Sequence, residues 1–229
     1  MPDISNQVLY VTNFQDLVST PFDRAINAIC WVRKLQGDFE EIVNKAATTE
    51  NITVLHLEEL VALKLGEQGA LARAVLLDDF NLLAAHGASP TINIIRHYDR
   101  DDALPFFPTD VYSFHADRSP VPTDTFLCTY YGEPSDILPN AQAIQKVLVP
   151  EIREQLNKLY DGAPEGFESF LREHFFDLHY LPAPAAIPIS LGTGNVWRLA
   201  VDYPGSKVLP CVHRAPKEKE GQSRLLMIC

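Results

Sequence analysis

Cysteine is sparse and unpaired in this sequence: Cys30, Cys128, Cys211 and Cys229 show no C-x-x-C or C-x-x-x-x-C spacing. A zinc finger and a dithiol redox motif are thereby excluded, and reduced, mostly buried thiols are expected. Cys229 stands last, whereas a prenylation box needs its cysteine fourth from the end, so no lipid anchor is expected. Basic charge is also short. With 19 Lys and Arg against 30 Asp and Glu, the formal charge of −11 repels a phosphate backbone and an anionic lipid surface, so nucleic acid and membrane are not expected as partners. No apolar run approaches the roughly 18–20 residues of a bilayer span, and the opening residues lack a basic segment followed by a cleavage site; a cytoplasmic protein is expected. There is no Gly-x-Ser-x-Gly elbow, and Ser113 has no sequence context for a nucleophile. Gly192-Thr193-Gly194-Asn195 lacks the Lys-Ser/Thr of a phosphate loop and is read as a tight turn. Internal repeats and low-complexity tracts are absent.

What is present suits a folded chain: 229 residues, 46% hydrophobic and 21% charged, enough for one large domain. Residues 1–90 carry helical signals. Thr20-Pro21-Phe22-Asp23 resembles a capped start, with Phe22, Ile26, Ile29 and Arg33 following at helical spacing to Gly37. Phe39, Ile42, Val43 and Ala46 continue that period. The stretch from Glu58 to Ala85, broken near Gly66 and Gly69, places Leu60, Leu63, Leu71, Val75, Leu76 and Leu82 on a broad face. Three or four packed helices follow from this pattern.

After Pro90 the pattern changes to short β-rich runs between turn residues: 91–98, 111–114, 125–131, 187–191, 196–201, 208–213 and 223–228. Seven short strands suggest a sandwich, jelly roll or barrel. Helical periodicity returns at 141–160 and 166–176 as an insertion.

Phe114-His115-Ala116-Asp117 puts an imidazole and a carboxylate two residues apart, on the same face of an extended segment, as two ligands of one metal require. His213, in Val212-His213-Arg214-Ala215-Pro216, would supply a third. Two imidazoles and one carboxylate on one face of an iron leave the opposite face open. Arg224 follows His213 by eleven residues, and a planar guanidinium there would grip the far carboxylate of a dicarboxylate cosubstrate.

This pattern resembles the Fe(II)/2-oxoglutarate-dependent oxygenases of the jelly-roll (double-stranded β-helix), cupin-like superfamily: H-x-D, a long gap, H, then R about ten residues later. Here it is His115, Asp117, His213 and Arg224. The runs TFLCTYYGEPSDILPN, VHRAP and RLLM are also similar to a bacterial family of uncharacterised activity, from which no activity is carried over. The resemblance covers residues 91–229. It implies a jelly-roll core at 91–229 with a helical insertion at 141–180 and does not explain residues 1–90; the broad apolar faces of that helical part are expected to pack on the sheet, which makes an α+β single domain over 1–229 the expected fold. It implies Fe(II) held by His115, Asp117 and His213, 2-oxoglutarate as cosubstrate, and oxidation of a small molecule or an amino-acid side chain. The common R-x-S ending is Arg224-Leu225-Leu226 here, which leaves Arg214 as a rival clamp, although strand alternation turns it away from His213. Arg96 and Tyr98 before the H-x-D segment, and Thr129 and Tyr130 after it, are candidate pocket residues, Tyr98 beside the cosubstrate; aromatic residues at sheet positions also serve as core. His174 and His179, five residues apart near a helix end, are expected to be core or surface histidines. Two other classes remain open: a metal-binding or metal-sensing jelly roll without turnover, and an interaction module in which the acidic helical part docks a partner, the sheet is scaffold and no metal is held.

Overall fold

The computed structural model describes residues 7–23, 25–217, 219 and 221–229. The N-terminal part mixes strand with helix: β1 (Val8–Val11), α1 (Phe14–Ser19), β2 (Ala28–Trp31), α2 (Phe39–Ala46), β3 (Ile52–Val54), α3 (Leu57–Ala62) and α4 (Glu67–Ala85). This corrects the expectation of a purely helical segment over 1–90, and in particular of a helix from Thr20 to Gly37. Thr20 is instead the C-cap of α1, whose N-terminus is closed by Asn13 Oδ1 accepting from the Asp16 amide at 2.8 Å. The run Ala28-Ile29-Cys30 is buried on both faces, a property that helical spacing of its apolar residues cannot separate from a helix but that a central strand satisfies. The expected helices at 39–46 and within 58–85 are present, but Leu71 and Leu82, expected on the packed face, are exposed, and α4 buries Ala72, Leu76, Asp79 and Leu83 instead. Gly66 is the N-cap of α4, and Gly69 lies inside that helix rather than breaking it.

The rest of the chain adds β4 (Thr91–Ile95), β5 (Phe114–His115), β6 (Asp124–Tyr131), β7 (Asp136–Ile137), β8 (Ala143–Gln145), α5 (Pro150–Leu159), α6 (Phe167–Glu173), β9 (His179–Pro182), β10 (Ile189–Ser190), β11 (Val196–Ala200), β12 (His213–Arg214) and β13 (Arg224–Ile228). The protein is thus α+β, with two sheets. The seven-stranded sheet has the order β1-β2-β11-β6-β13-β4-β3 and the six-stranded sheet β10-β7-β12-β5-β9-β8. Four antiparallel pairs are nested: β4 with β13, β5 with β12, β6 with β11, and β7 with β10. The N-terminal strands extend the larger sheet at both ends, β2 against β11 and β3 against β4.

Two further expectations change. The strand expected at 111–114 is only Phe114–His115, and that at 208–213 begins at His213, because Pro210 has no amide hydrogen for a ladder. The insertion over 141–180 is not wholly helical: β8 and the start of β9 lie within it and extend the smaller sheet beside β5. Among the described residues no helix is long and apolar enough to cross a membrane.

Side-chain alternation divides the core. One face of the larger sheet, with Ile92, Ile94, Phe126, Cys128, Leu225 and Met227, packs against α1 to α4 through Leu17, Ile42, Leu60 and Leu76. Its other face, with Cys30, Leu127, Trp197 and Leu226, meets Ile137, Leu191 and Cys211 from the smaller sheet side. A bulge at β6, where Leu225 pairs with Tyr131 and Leu226 with Thr129, puts both Tyr130 and Tyr131 on the helical side. Tyr130 Oη donates to Asp79 Oδ2 at 2.6 Å, and Tyr131 Oη to Glu40 Oε1 at 2.8 Å. Asp79 also takes a bidentate contact from Arg33, with Nη1 to Oδ1 at 2.5 Å. This buried pair ties α4 to the segment after β2 and to β6. Removing one partner strands the other charge, so Asp79→Leu should lose about 3–5 kcal/mol of stability in urea denaturation, and Arg33→Leu/Asp79→Leu should recover part of it.

Candidate metal centre

Phe114 and Val212 pack into an apolar cluster on the outer face of the smaller sheet. The next residue along each strand, His115 and His213, must therefore face inward, between the sheets. They are direct cross-strand partners: His213 is opposite His115 on β5 and opposite Ile137 on β7. Their ring centroids are 4.7 Å apart. Asp117, two residues beyond His115, returns to the same side. One donor atom from each of His115, Asp117 and His213 lies within 4.8 Å of the others, so the three could hold a metal ion. His115 Nε2 is 3.9 Å from Asp117 Oδ1 and His213 Nε2 is 3.7 Å from Asp117 Oδ2.

The imidazoles are held from behind. His115 Nδ1 donates to the Ser113 carbonyl at 2.8 Å and His213 Nδ1 to the Cys211 carbonyl at 3.2 Å. A carbonyl only accepts, so each Nδ1 carries the hydrogen and Nε2 is the ring nitrogen left to offer a lone pair to a metal. Asp117 is oriented from the other sheet, with Thr125 Oγ1 donating to its Oδ2 at 2.5 Å. Its backbone carbonyl accepts from the Asp202 amide at 2.8 Å, and the neighbouring Arg118 is ion-paired with Asp177 and Asp202. Burial pushes the Asp117 carboxyl up, but His213, the Thr125 hydroxyl and His115 together outweigh it and leave the group below its usual value. Burial, reinforced by His213, pushes His115 down to about 4. The donor set fits a divalent transition metal: neutral nitrogens and an ionised carboxylate on one side, with supporting hydrogen bonds.

The other candidate residues separate. Arg224 begins β13 and shares the inward parity of Leu226; its Nη2 donates to Ser135 Oγ at 3.2 Å and Thr129 Oγ1 at 3.4 Å. Gly132 makes room for it: at φ +83°, a Cβ there would lie 2.7 Å from the Ser223 carbonyl and 3.1 Å from Arg224 Cα. Tyr98 lines a small cavity with Ile95, Ser223 and Arg224. It lies beyond the end of β4, its amide donating to Tyr112 Oη at 2.8 Å. Arg214 is not brought to the triad. It lies on the outer face, paired with Asp136 at 3.1 Å and set over the Phe114 ring at 4.3 Å. Arg96 turns to the Thr48 carbonyl at 3.3 Å, and Tyr130 faces the helices.

His179, expected as a core or surface histidine, is buried. His179 pairs directly with His115 in the β5–β9 ladder, which makes an inward row of His213, His115 and His179. Its only sequence signal is its place at the head of the short run His179-Tyr180-Leu181-Pro182. Burial, with His115 and Lys146 nearby, pushes it down to about 3. No protein-family model matches the chain, and neither a curated protein nor a solved structure matches it.

Two outcomes follow from this geometry. His115→Ala, Asp117→Ala and His213→Ala should each abolish stoichiometric divalent-metal binding by elemental analysis while the circular dichroism spectrum is kept. His115 and His179 have folded values below their unfolded value of 6.5, so the native state resists their protonation. Their contribution is full above about pH 6.5 and is lost as pH falls toward 4 and then 3. The urea midpoint of the metal-free protein should therefore drop across that window, and a flat profile would contradict the assignment.

Proposed function

We propose that this protein is an Fe(II)- and 2-oxoglutarate-dependent oxygenase on a jelly roll, acting on a small molecule or an amino-acid side chain. The observation that carries the reading is the convergence of His115, Asp117 and His213 on one point between the sheets. The nested strand pairs support the jelly roll: counting β4, β5, β6, β7, β10, β11, β12 and β13 as one to eight, first pairs with eighth, second with seventh, third with sixth and fourth with fifth.

In this reading His115, Asp117 and His213 hold Fe(II). When bound, the iron and 2-oxoglutarate supply oxidation by O2 of a substrate C–H bond, one oxygen atom going to the substrate and one to the succinate left after loss of carbon dioxide. The protein's own contribution is placement. Arg224 binds the outer carboxylate of the cosubstrate through its guanidinium, which the Thr129 and Ser135 hydroxyls hold in one orientation. Thr125 holds the Asp117 carboxylate in a fixed rotamer, and the Ser113 and Cys211 carbonyls do the same for the imidazoles. The apolar residues between the sheets, Leu127, Trp197 and Leu226 among them, limit water around the centre.

The test is anaerobic addition of Fe(II) and 2-oxoglutarate while the visible charge-transfer band of the chelate is followed. Metal uptake without cosubstrate binding would favour a metal-binding protein without turnover; absence of both would favour an interaction module. Arg224→Leu should weaken 2-oxoglutarate binding by about 1.5–3 kcal/mol with little change in metal affinity, Arg224→Lys should fall between, and Arg214→Leu should have no effect.

A further inference from the structure

The inward row of histidines has two ends. Beyond His213 lies β7, and Arg224 contacts Ser135 just before that strand. Beyond His115 lies β9, with His179 at the paired position. The proposed cosubstrate clamp and His179 therefore flank the metal triad from opposite sides, and a cosubstrate reaching toward Arg224 leaves the His179 side for the substrate.

His179 is 6% exposed, and its Nδ1 has no hydrogen-bond partner among the described residues. Its ring centroid is 6.0 Å from that of His115 and 5.9 Å from that of Phe107. Phe107 packs on Phe176 at 4.9 Å, and both belong to the apolar cluster formed with α5 and α6. Above Phe107, at 4.9 Å, sits the Lys146 ammonium, which donates to the Pro108 carbonyl at 2.9 Å and to Ser113 Oγ at 2.7 Å. An aromatic residue would fill this position as well as an imidazole does, without a buried unsatisfied nitrogen, whose cost is about 1–3 kcal/mol. The fold alone gives no reason for a histidine here. A ligand with an acceptor atom does: of the charged groups around the position, the Lys146 ammonium and a divalent cation favour the negative end of a dipole, against the Asp101 carboxylate.

We propose that His179 is the substrate-side contact of the centre, donating its Nδ1–H to an oxygen of the substrate, a hydroxyl, carbonyl or carboxylate. This assignment rests on the cosubstrate reading above, because that reading allots the Arg224 side to 2-oxoglutarate.

Two variants and one simple probe test it. His179→Phe keeps the aromatic packing and removes the donor; His179→Asn places an amide N–H where Nδ1 stands. The metal-free His179→Phe protein should melt at or above the wild-type temperature; a fall of several degrees would show that the histidine serves the fold and would overturn the proposal. With saturating Fe(II) and 2-oxoglutarate under anaerobic conditions, all three proteins should form the chelate band with equal cosubstrate affinity. Acetate, the minimal oxygen-bearing probe, should then perturb the wild-type band saturably. The acetate affinity should be about tenfold weaker in His179→Phe, the loss of one hydrogen bond, and largely restored in His179→Asn. A chelate band that ignores acetate, or that responds equally in His179→Phe, overturns the role of His179 alone. Absence of the chelate band in the wild type removes the cosubstrate reading and this proposal with it.

Discussion

The centre depends on one cross-strand register, His213 opposite His115. Both residues lie in strands of only two residues, so little of the ladder specifies that alignment locally. The specification comes from the residues beside them. Phe114 and Val212 are committed to the outer apolar cluster, and a slip of one residue would drive them inward and expose both imidazoles on the outside. The chemistry of the inner face is thus set by packing on the outer one. His213 is aligned in turn by Ile137 on its other flank, a fully buried residue with no alternative position.

The larger sheet supplies the counterparts at a fixed depth. Thr125, Thr129 and Arg224 are spaced along inward positions of β6 and β13, so the carboxylate-holding hydroxyl and the guanidinium belong to one rigid surface. The bulge in β6 matters here, because it ends the inward series at Thr129 and turns Tyr130 and Tyr131 to the helices. Arg224 then lies beside Gly132 rather than against an aromatic ring. On the far side of this surface, the Arg33–Asp79 pair and the Tyr130 hydroxyl lock α4 to the sheet, so the backing of the site is as constrained as its front.

Much of the site was legible because it follows a period of two. His115 and Asp117 at alternate positions, and the separation of Arg214 from His213 by one residue, are statements about strand faces that hold wherever the strands lie. His179 was not legible, since a histidine joins that row only through a pairing between β5 and β9, and no local pattern encodes a pairing. The helix at 39–46 was legible from its apolar stripe; that at 67–85 was legible as a helix but not in its buried face, because its apolar residues lie all round it. The strand at 28–31 was not: it is apolar at every position, and its burial on both faces comes from neighbours distant in sequence. The short ladders at 136–137 and 213–214 fall below the length at which alternation can be recognised, and turn residues surround them.

The placement of β2 has a consequence for how the chain acquires its structure. Its two neighbours are β1, close in sequence, and β11, whose partner residues are Val196–Leu199. A growing chain therefore carries the apolar run Ala28–Trp31 unsatisfied until more than 160 further residues exist. At the ordinary pace of synthesis, about 5–20 residues per second, that interval is roughly ten to thirty seconds. During it the segment presents a sticky strand edge, and such long-range closures are slow in their own right. Until β11 arrives, the edge of residues 28–31 that it will cover is open to competing strand edges.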